Sequence, residues 1–554
     1  MSEVVEVEIA SPSQKQRWGW HWTQHIGAIA ISLALALLAL HLFVQNNDFP
    51  VGYHPDEVGK AMQLRSPDQF RNFHHPLMML EAANLFRKAE HTPSDTRSIL
   101  LMGRNLSALL SAFAVFCMAM AAYAGLGFAG LLVGGAAIAL CPPLLVYAHY
   151  FKEDTSLIAG VALATLGAAW LLRARRWRWQ ILASIVMGLG CAAAVSGKMV
   201  GAAAIVPSLA AICLAPNPRN AAGSFARRFS IFGAAVAVRT ILLLLVAAST
   251  TVAINARAFD NYLPPRISSF AWDEWIHEYE HGTTGHGDLA LTHPNTFVLR
   301  TTFDELTLDA WLLGGIGWLY FAWRRRVTRW GLFLAGSVAT WGAVLSFDAI
   351  PFARYALPLV ILVYFSLVLW GFSALNDLAH RTHQRWARIA APLACALLIA
   401  LVQGQRCANF TQQFRDDSRQ RLRNWVNANL PPGATIAVDS YTDLESGGDP
   451  WRFPDQPQLH VRVVGSQFAS SFSNSMDGLA RQGFRYVAVA STNYDRFFVP
   501  DVHALPGSER EFNRERNFYA DLFQHKEDLI WISTPHPPTD AYVNPEIRVY
   551  RIPR

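Results

Sequence analysis

Three observations predict a polytopic α-helical membrane protein of about eleven spans, with a small α/β domain at its C-terminal end outside the membrane. The first is composition. The 554 residues are 52% apolar and only 16% charged, where globular chains carry about 25% charge. The second is the recurrence of long apolar runs. No Asp, Glu, Lys or Arg lies between Ile26 and Val44, or between Ile241 and Ile254. The third is the placing of arginines in clusters between alternate runs. Together these exclude a disordered chain, a coiled coil, a collagen-like protein and a small secreted scaffold. The net charge of +6 is no nucleic-acid signal, because much of the excess flanks the spans. The six cysteines show neither a disulfide framework nor metal-type spacing.

In chain order, residues 1–22 are polar and mixed in charge. Lys15 and Arg17 precede the first span, which places this segment in the cytoplasm. That span is too long for the core of a signal peptide and is read as retained. The spans are placed at 25–44, 99–119, 123–147, 155–172, 180–197, 199–215, 229–254, 306–323, 330–347, 355–374 and 388–405. Arg173, Arg175, Arg176 and Arg178 follow the fourth span. Arg219, Arg227 and Arg228 follow the sixth, Arg324, Arg325, Arg326 and Arg329 the eighth, and His380, Arg381, Arg385 and Arg388 the tenth. One alternating path puts all four clusters on the cytoplasmic side. It leaves loops 45–97 and 255–304 outside a membrane domain of residues 23–405. Residues 406–554 then form an extracytoplasmic domain. Within it 434–439, 484–490, 529–532 and 547–552 read as strands, and 476–482 as a helix.

The charged and imidazole residues outside the arginine turns gather on the external side. His54-Pro55-Asp56-Glu57 follows the first span. An acidic pair there suits a general base, and it suits a plain helix start equally well. His74-His75-Pro76 reads as a rigid turn, since adjacent histidines rarely ligate one metal. Lys152-Glu153-Asp154 lies between the third and fourth spans, where charges also serve as a mere interfacial stop. Lys198 is the sole charge in the apolar stretch 180–215. A lone lysine at membrane depth snorkels or meets an anion. His281 and His286 lie in a glycine-rich loop that suits a cover over substrate better than a metal site. Arg354-Tyr355 opens the tenth span, where arginine can clamp a phosphate or simply anchor the interface.

The order of these pieces resembles the C-type glycosyltransferase superfamily, and within it the protein O-mannosyltransferases and the lipid A aminoarabinose transferase. The resemblance covers about residues 20–405. Asp56 matches the family's first-loop aspartate, and Glu57 its acidic neighbour. His75-Pro76 matches a His-Pro-Pro-Leu motif, with Leu77 in place of the second proline. Asp154 matches the aspartate closing an Ala-Arg-x4-Asp turn. There Ala148 is kept, His149 replaces the arginine, and Lys152 adds a cation. Lys198 and Arg354-Tyr355 match the family's lysine turn and late Arg-Tyr motif.

The resemblance implies a catalytic set of Asp56, Glu57 and Asp154. It implies donor-phosphate contacts from Lys198, Arg354 and Lys152. Substrate contacts fall to His54, His75, His149, Tyr355, His281 and His286. It also implies a polyprenyl-phosphate sugar as donor and an extracytoplasmic protein, lipid or glycan as acceptor, with inversion at the sugar. The expected setting is a multi-pass protein of the inner (plasma) membrane in contact with membrane lipids. No residue pattern calls for a metal, although a divalent ion is compatible with the chemistry. No phosphate-cradling glycine loop is present, so no nucleotide site is expected.

The rival reading is a transporter or flippase of lipid-linked sugars. Such proteins commonly carry inverted repeats and midplane polar groups. Here no repeat is visible, and the polar groups sit at one face. A non-enzymatic scaffold is a second rival. It leaves the shared side of Asp56, Asp154, Lys198 and Arg354 unexplained.

Overall fold

The computed structural model describes residues 22–50, 53–217, 225–260, 266–286, 288–324, 328–382, 384–444, 458–533 and 542–553. The N-terminal segment 1–21 lies outside them. Among the described residues seven helices are long and apolar enough to cross a membrane. They are Thr23–Val44, Thr96–Ala139, Asp154–Arg173, Trp177–Gly197, Ser230–Ile254, Ala353–Arg381 and Arg385–Asn429. Two further apolar helices, Leu308–Arg324 and Arg329–Leu345, have 17 residues each. At 1.5 Å per residue each is about 25 Å long, a little short of the hydrocarbon core. The short piece Met199–Leu214 joins a 3-10 turn to a helix.

The expected second and third spans form one 44-residue helical run, Thr96–Ala139, which breaks at Gly127 with φ 74°. Only glycine takes that conformation without strain, so the break falls there and not at the expected 119–123. A separate short helix, Pro142–Ala148, follows. The run begins at Asp95, whose carboxylate accepts from the Ser98 amide at 2.9 Å, a helix N-cap.

Small residues set the closest helix approaches. A Cβ on Gly160 would lie 2.1 Å from Ala194 N, and one on Gly190 2.2 Å from Ala164 N. These reciprocal contacts bring helices Asp154–Arg173 and Trp177–Gly197 backbone to backbone, the packing that lipid-embedded helices favour. Their adjoining ends carry Asp154 and Lys198 to one place. Large side chains such as Ile26, Leu37, Ile241 and Leu245 stay exposed, as a lipid-facing surface requires.

The C-terminal domain is a five-stranded mixed sheet. Strand Thr435–Asp439 lies parallel between Arg462–Ser466 and Tyr486–Ala490. Ile547–Arg551 pairs antiparallel with Tyr486–Ala490, and Leu529–Ile532 closes the other edge. The strand Arg462–Ser466 and the helices Ser418–Asn429 and Glu509–Leu522 add to the elements expected from sequence. This domain is fastened to the segment after helix Ser269–Thr284. Leu289–Leu291 pairs antiparallel with Val502–Ala504, and Leu505 N donates to Asp288 O at 2.9 Å.

Candidate active site

One set of helix ends meets under the C-terminal domain, and most of the residues singled out by sequence meet there too. Pro55 opens helix Pro55–Arg65, and His54 caps it by accepting from Asp56 N at 3.2 Å. Proline at the first helical position suits a start whose amide would be unbonded. Asp56 therefore sits in the first turn, where the helix dipole favours a carboxylate.

Asp56 Oδ2 accepts a close contact from Lys152 Nζ. Its Oδ1 has no hydrogen-bond partner among the described residues, and 39% of the side chain is exposed. Burial alone would raise the carboxyl, but Lys152, His54, Arg354 and Lys60 hold it well below the usual carboxylate range. Burial would lower the Lys152 ammonium, yet Asp56 and Glu153 raise it. Asp56 is thus ionised at any ordinary pH, with one oxygen held and one presented.

Behind this pair lies a buried ionic layer. Glu153 accepts from Lys152 at 2.8 Å and meets Lys60 at 2.5 Å and His75 Nε2 at 2.6 Å. Three cationic or imidazole groups around one buried carboxylate fix its position. Asp154, at the first position of its helix, accepts from Lys198 Nζ at 2.6 Å. Its second oxygen is buried without a partner. Lys198 stands in extended backbone between helix Trp177–Gly197 and the turn Met199–Ala204. Its ammonium lies 4.5 Å from the Tyr355 ring centroid, a cation–π distance.

Arg354 is presented by the 3-10 turn Ala353–Ala356. Its Nη1 donates to Tyr542 Oη at 3.0 Å and lies 3.3 Å from His54 Nε2. Its Nε is buried without a partner, and Tyr355 lies 5.3 Å from its guanidinium carbon. One tyrosine ring therefore neighbours both Lys198 and Arg354. Burial holds His54 well below the usual imidazole range. A neutral ring has one acceptor nitrogen, so His54 can serve Asp56 N or Arg354 but not both.

Other candidates stand apart from any open position. Glu57 is fully buried, and Arg104 spans its two oxygens from Nε at 2.9 Å and Nη2 at 2.8 Å. Phe151 N donates to the same carboxylate at 2.9 Å. Both oxygens are engaged, so none is free for a reacting group. His149 is fully buried and stacked on Phe414 at 4.2 Å, its ring nitrogens on Leu145 O and Gln45 O. It ties Gln45, just after the first span, to the turn after helix Pro142–Ala148. His281 and His286 touch through their ring nitrogens at 2.5 Å, and His286 packs 5.5 Å from Phe352. Burial, with help from His281, Arg496 and Arg354, lowers the His286 imidazole to about 4. The pair reaches the rim of the site as neutral rings.

Sequence reasoning missed Arg104, Lys60, Glu153 as an organiser, and Tyr542. Arg104 could have been found as Lys198 was, as a lone charge in an apolar run. Tyr542 carried no signal, since its place depends on the C-terminal domain folding back. Among the described residues the one close His/acidic cluster of metal-ligand size is His525, Glu527 and Asp528, none of which belongs to this site.

No protein-family model matches the chain, and no curated protein does. Solved structures of similar shape exist. One is ArnT from Cupriavidus metallidurans bound to undecaprenyl phosphate, at 13% identity and TM-score 0.47, covering 94% of this chain and 98% of that one. Another is the archaeal oligosaccharyltransferase AglB from Archaeoglobus fulgidus with an inhibitory peptide and a dolichol-phosphate, at 12% identity and TM-score 0.47, covering 86% and 70%. A third is the S. cerevisiae protein O-mannosyltransferase Pmt1-Pmt2 complex bound to the sugar donor, at 18% identity and TM-score 0.34, covering 41% and 33%.

Proposed function

We propose that the chain is a membrane glycosyltransferase, moving a sugar from a polyprenyl-phosphate donor to an acceptor on the extracytoplasmic side with inversion. The observation that carries this reading is one juxtaposition. A half-presented carboxylate, Asp56, is held by Lys152 and feels the charge of Arg354, one of two buried cations, Lys198 and Arg354, gathered at this end of the helices. The cations share the Tyr355 ring. A lipid phosphate arriving from the bilayer would meet fixed positive charge in poorly hydrated surroundings, where charge-assisted contacts are strong.

The roles follow from the partners. Asp56 Oδ1 receives the acceptor hydroxyl. A carboxylate with so low a pKa is a weak proton acceptor, so its larger contribution is negative charge beside the oxocarbenium-like transition state. Lys152 fixes the carboxylate's rotamer, with Glu153 and His75 behind it. Lys198 and Arg354 stabilise charge growing on the departing phosphate. Asp154 holds Lys198, Tyr542 holds Arg354, and Glu57 anchors the chain that carries Asp56. The arginine-cluster parity supports a site outside the cytoplasm, and the inner membrane is the setting proposed. A divalent ion has no assigned ligands in this scheme.

The test is incubation of the purified, lipid-reconstituted protein with a panel of radiolabelled polyprenyl-phosphate sugars. Transfer or slow hydrolysis of at least one donor supports the reading. Inertness toward every donor, with lipid flipping observed instead, would favour the transporter.

A further inference from the structure

Arg496 differs from three other arginines of the C-terminal region that meet carboxylates. Arg419 pairs with Asp417, Arg514 with Glu515 and Arg548 with Glu546. Arg496 has no carboxylate within ion-pair distance among the described residues. Its Nη2 donates to Thr492 O at 3.0 Å, and its Nε is shielded from water without a partner among the described residues. An arginine held that way forfeits hydrogen bonds that a bound oxyanion would restore.

Its surroundings hold it in place. The guanidinium carbon lies 5.4 Å from the Phe468 ring centroid, in its own domain, and 5.9 Å from Phe352, on the membrane domain. Phe352 lies 5.0 Å from the Arg354 guanidinium carbon and packs against His286. Arg354 and Arg496 therefore approach one ring, Arg354 from the membrane domain and Arg496 from the C-terminal domain. Arg496 also follows strand Tyr486–Ala490, at the carboxyl edge of the parallel strands. Open α/β sheets bind ligands at that edge. Asp439, Tyr441 and Asn493 come from the same edge.

Resting on the transferase reading for the word acceptor, we propose that Arg496 is an anion-binding residue of this site, and that the acceptor carries a phosphate or carboxylate near the hydroxyl that takes the sugar. Lys198 and Arg354 already have the partners that aim them at the donor. Arg496 reaches Phe352 from the C-terminal domain and Arg354 from the membrane domain, so the second anion is assigned to the other substrate.

The test uses the full chain in nanodiscs, saturated with undecaprenyl phosphate to occupy the donor cations. Methyl phosphate and acetate are titrated separately, with the thermal unfolding midpoint as readout. Wild type should be stabilised saturably by one of them, and which one names the acceptor's anion. R496Q should weaken that binding about tenfold or more, and R496K should recover part of it. Stabilisation of R496Q by undecaprenyl phosphate itself should match wild type, which shows an intact fold. Equal response to the small anions in R496Q and wild type, or no response in wild type, would overturn the proposal. Failure of undecaprenyl phosphate to stabilise wild type would instead strike the transferase reading. The same titrations without lipid would still decide whether Arg496 binds an anion.

Discussion

Exchanging Glu57 for Gln separates a structural carboxylate from a chemical one. Arg104 donates to both Glu57 oxygens, to Asn47 O at 2.9 Å, to Phe49 O at 2.7 Å and to Pro50 O at 3.4 Å. It also lies 3.5 Å over the Phe49 ring. The guanidinium thus ties the chain leading into Asp56 to helix Thr96–Ala139. Both partners are fully buried. Removing one charge from such a pair leaves the other uncompensated, at about 3–5 kcal/mol. In E57Q the amide nitrogen would also face an Arg104 or Phe151 donor. The variant should therefore unfold at clearly lower temperature in nanodiscs, and lose activity in parallel with folded protein. The double variant E57Q/R104M should cost less than the two single changes summed, because the stranded charge is gone. Thermal unfolding of the four proteins, with donor turnover per folded molecule, decides it. Wild-type stability in E57Q together with abolished turnover would refute the argument and return Glu57 to the chemistry.

Three other expectations follow from the same contacts. K198M and R354M should each weaken undecaprenyl phosphate binding and slow transfer, R354K should be a partial rescue of R354M, and the double variant should lose less than the sum, as residues on one phosphate do; strict additivity with unchanged affinity would place the cations elsewhere. Asp439 is fully buried, and burial raises its carboxyl to about 7 despite amide donors from Ala469 and Ala490. Its folded-state pKa lies above the unfolded value of about 4, so its contribution is complete below pH 4 and is lost as pH rises through about 7; unfolding midpoints should fall across that window in wild type and stay flatter in D439N. G190V should block assembly of the membrane domain, since its first new atom would meet Ala164 N at 2.2 Å, and normal levels of folded protein would show that the helix crossing is looser than described.

Much of the site was legible in the sequence because charge is expensive at membrane depth. Lys152, Asp154, Lys198 and Arg354 each interrupt an apolar pattern at a span's end, Asp56 follows the first span in its polar loop, and parity alone put them on one side. Their pairing was not legible. Nothing in the spacing says that Lys152 reaches Asp56 and Glu153, or that Lys198 chooses Asp154, because those choices depend on how helices rotate and pack. The Gly127 break was misplaced for a similar reason. An apolar run offers no polar punctuation, and glycine marks a break only when the backbone uses its freedom. The C-terminal domain's strands could be read from alternation, except Arg462–Ser466, an edge strand with no buried residue, and the three-residue Val502–Ala504. What that domain gives the site, Tyr542 on Arg354 and Arg496 beside Phe352, depends on contacts across hundreds of residues.

The central claim is that Asp56 serves the chemistry from a site that Lys198 and Arg354 offer to a lipid phosphate. The most direct measurement compares D56N with wild type, using a donor that the panel shows to be accepted. Undecaprenyl phosphate affinity and single-turnover release of the sugar are measured on the same preparations. The account predicts affinity within a few-fold of wild type and release slowed by about 10²-fold or more. Near-normal release in D56N, or loss of lipid binding in step with turnover, would contradict it.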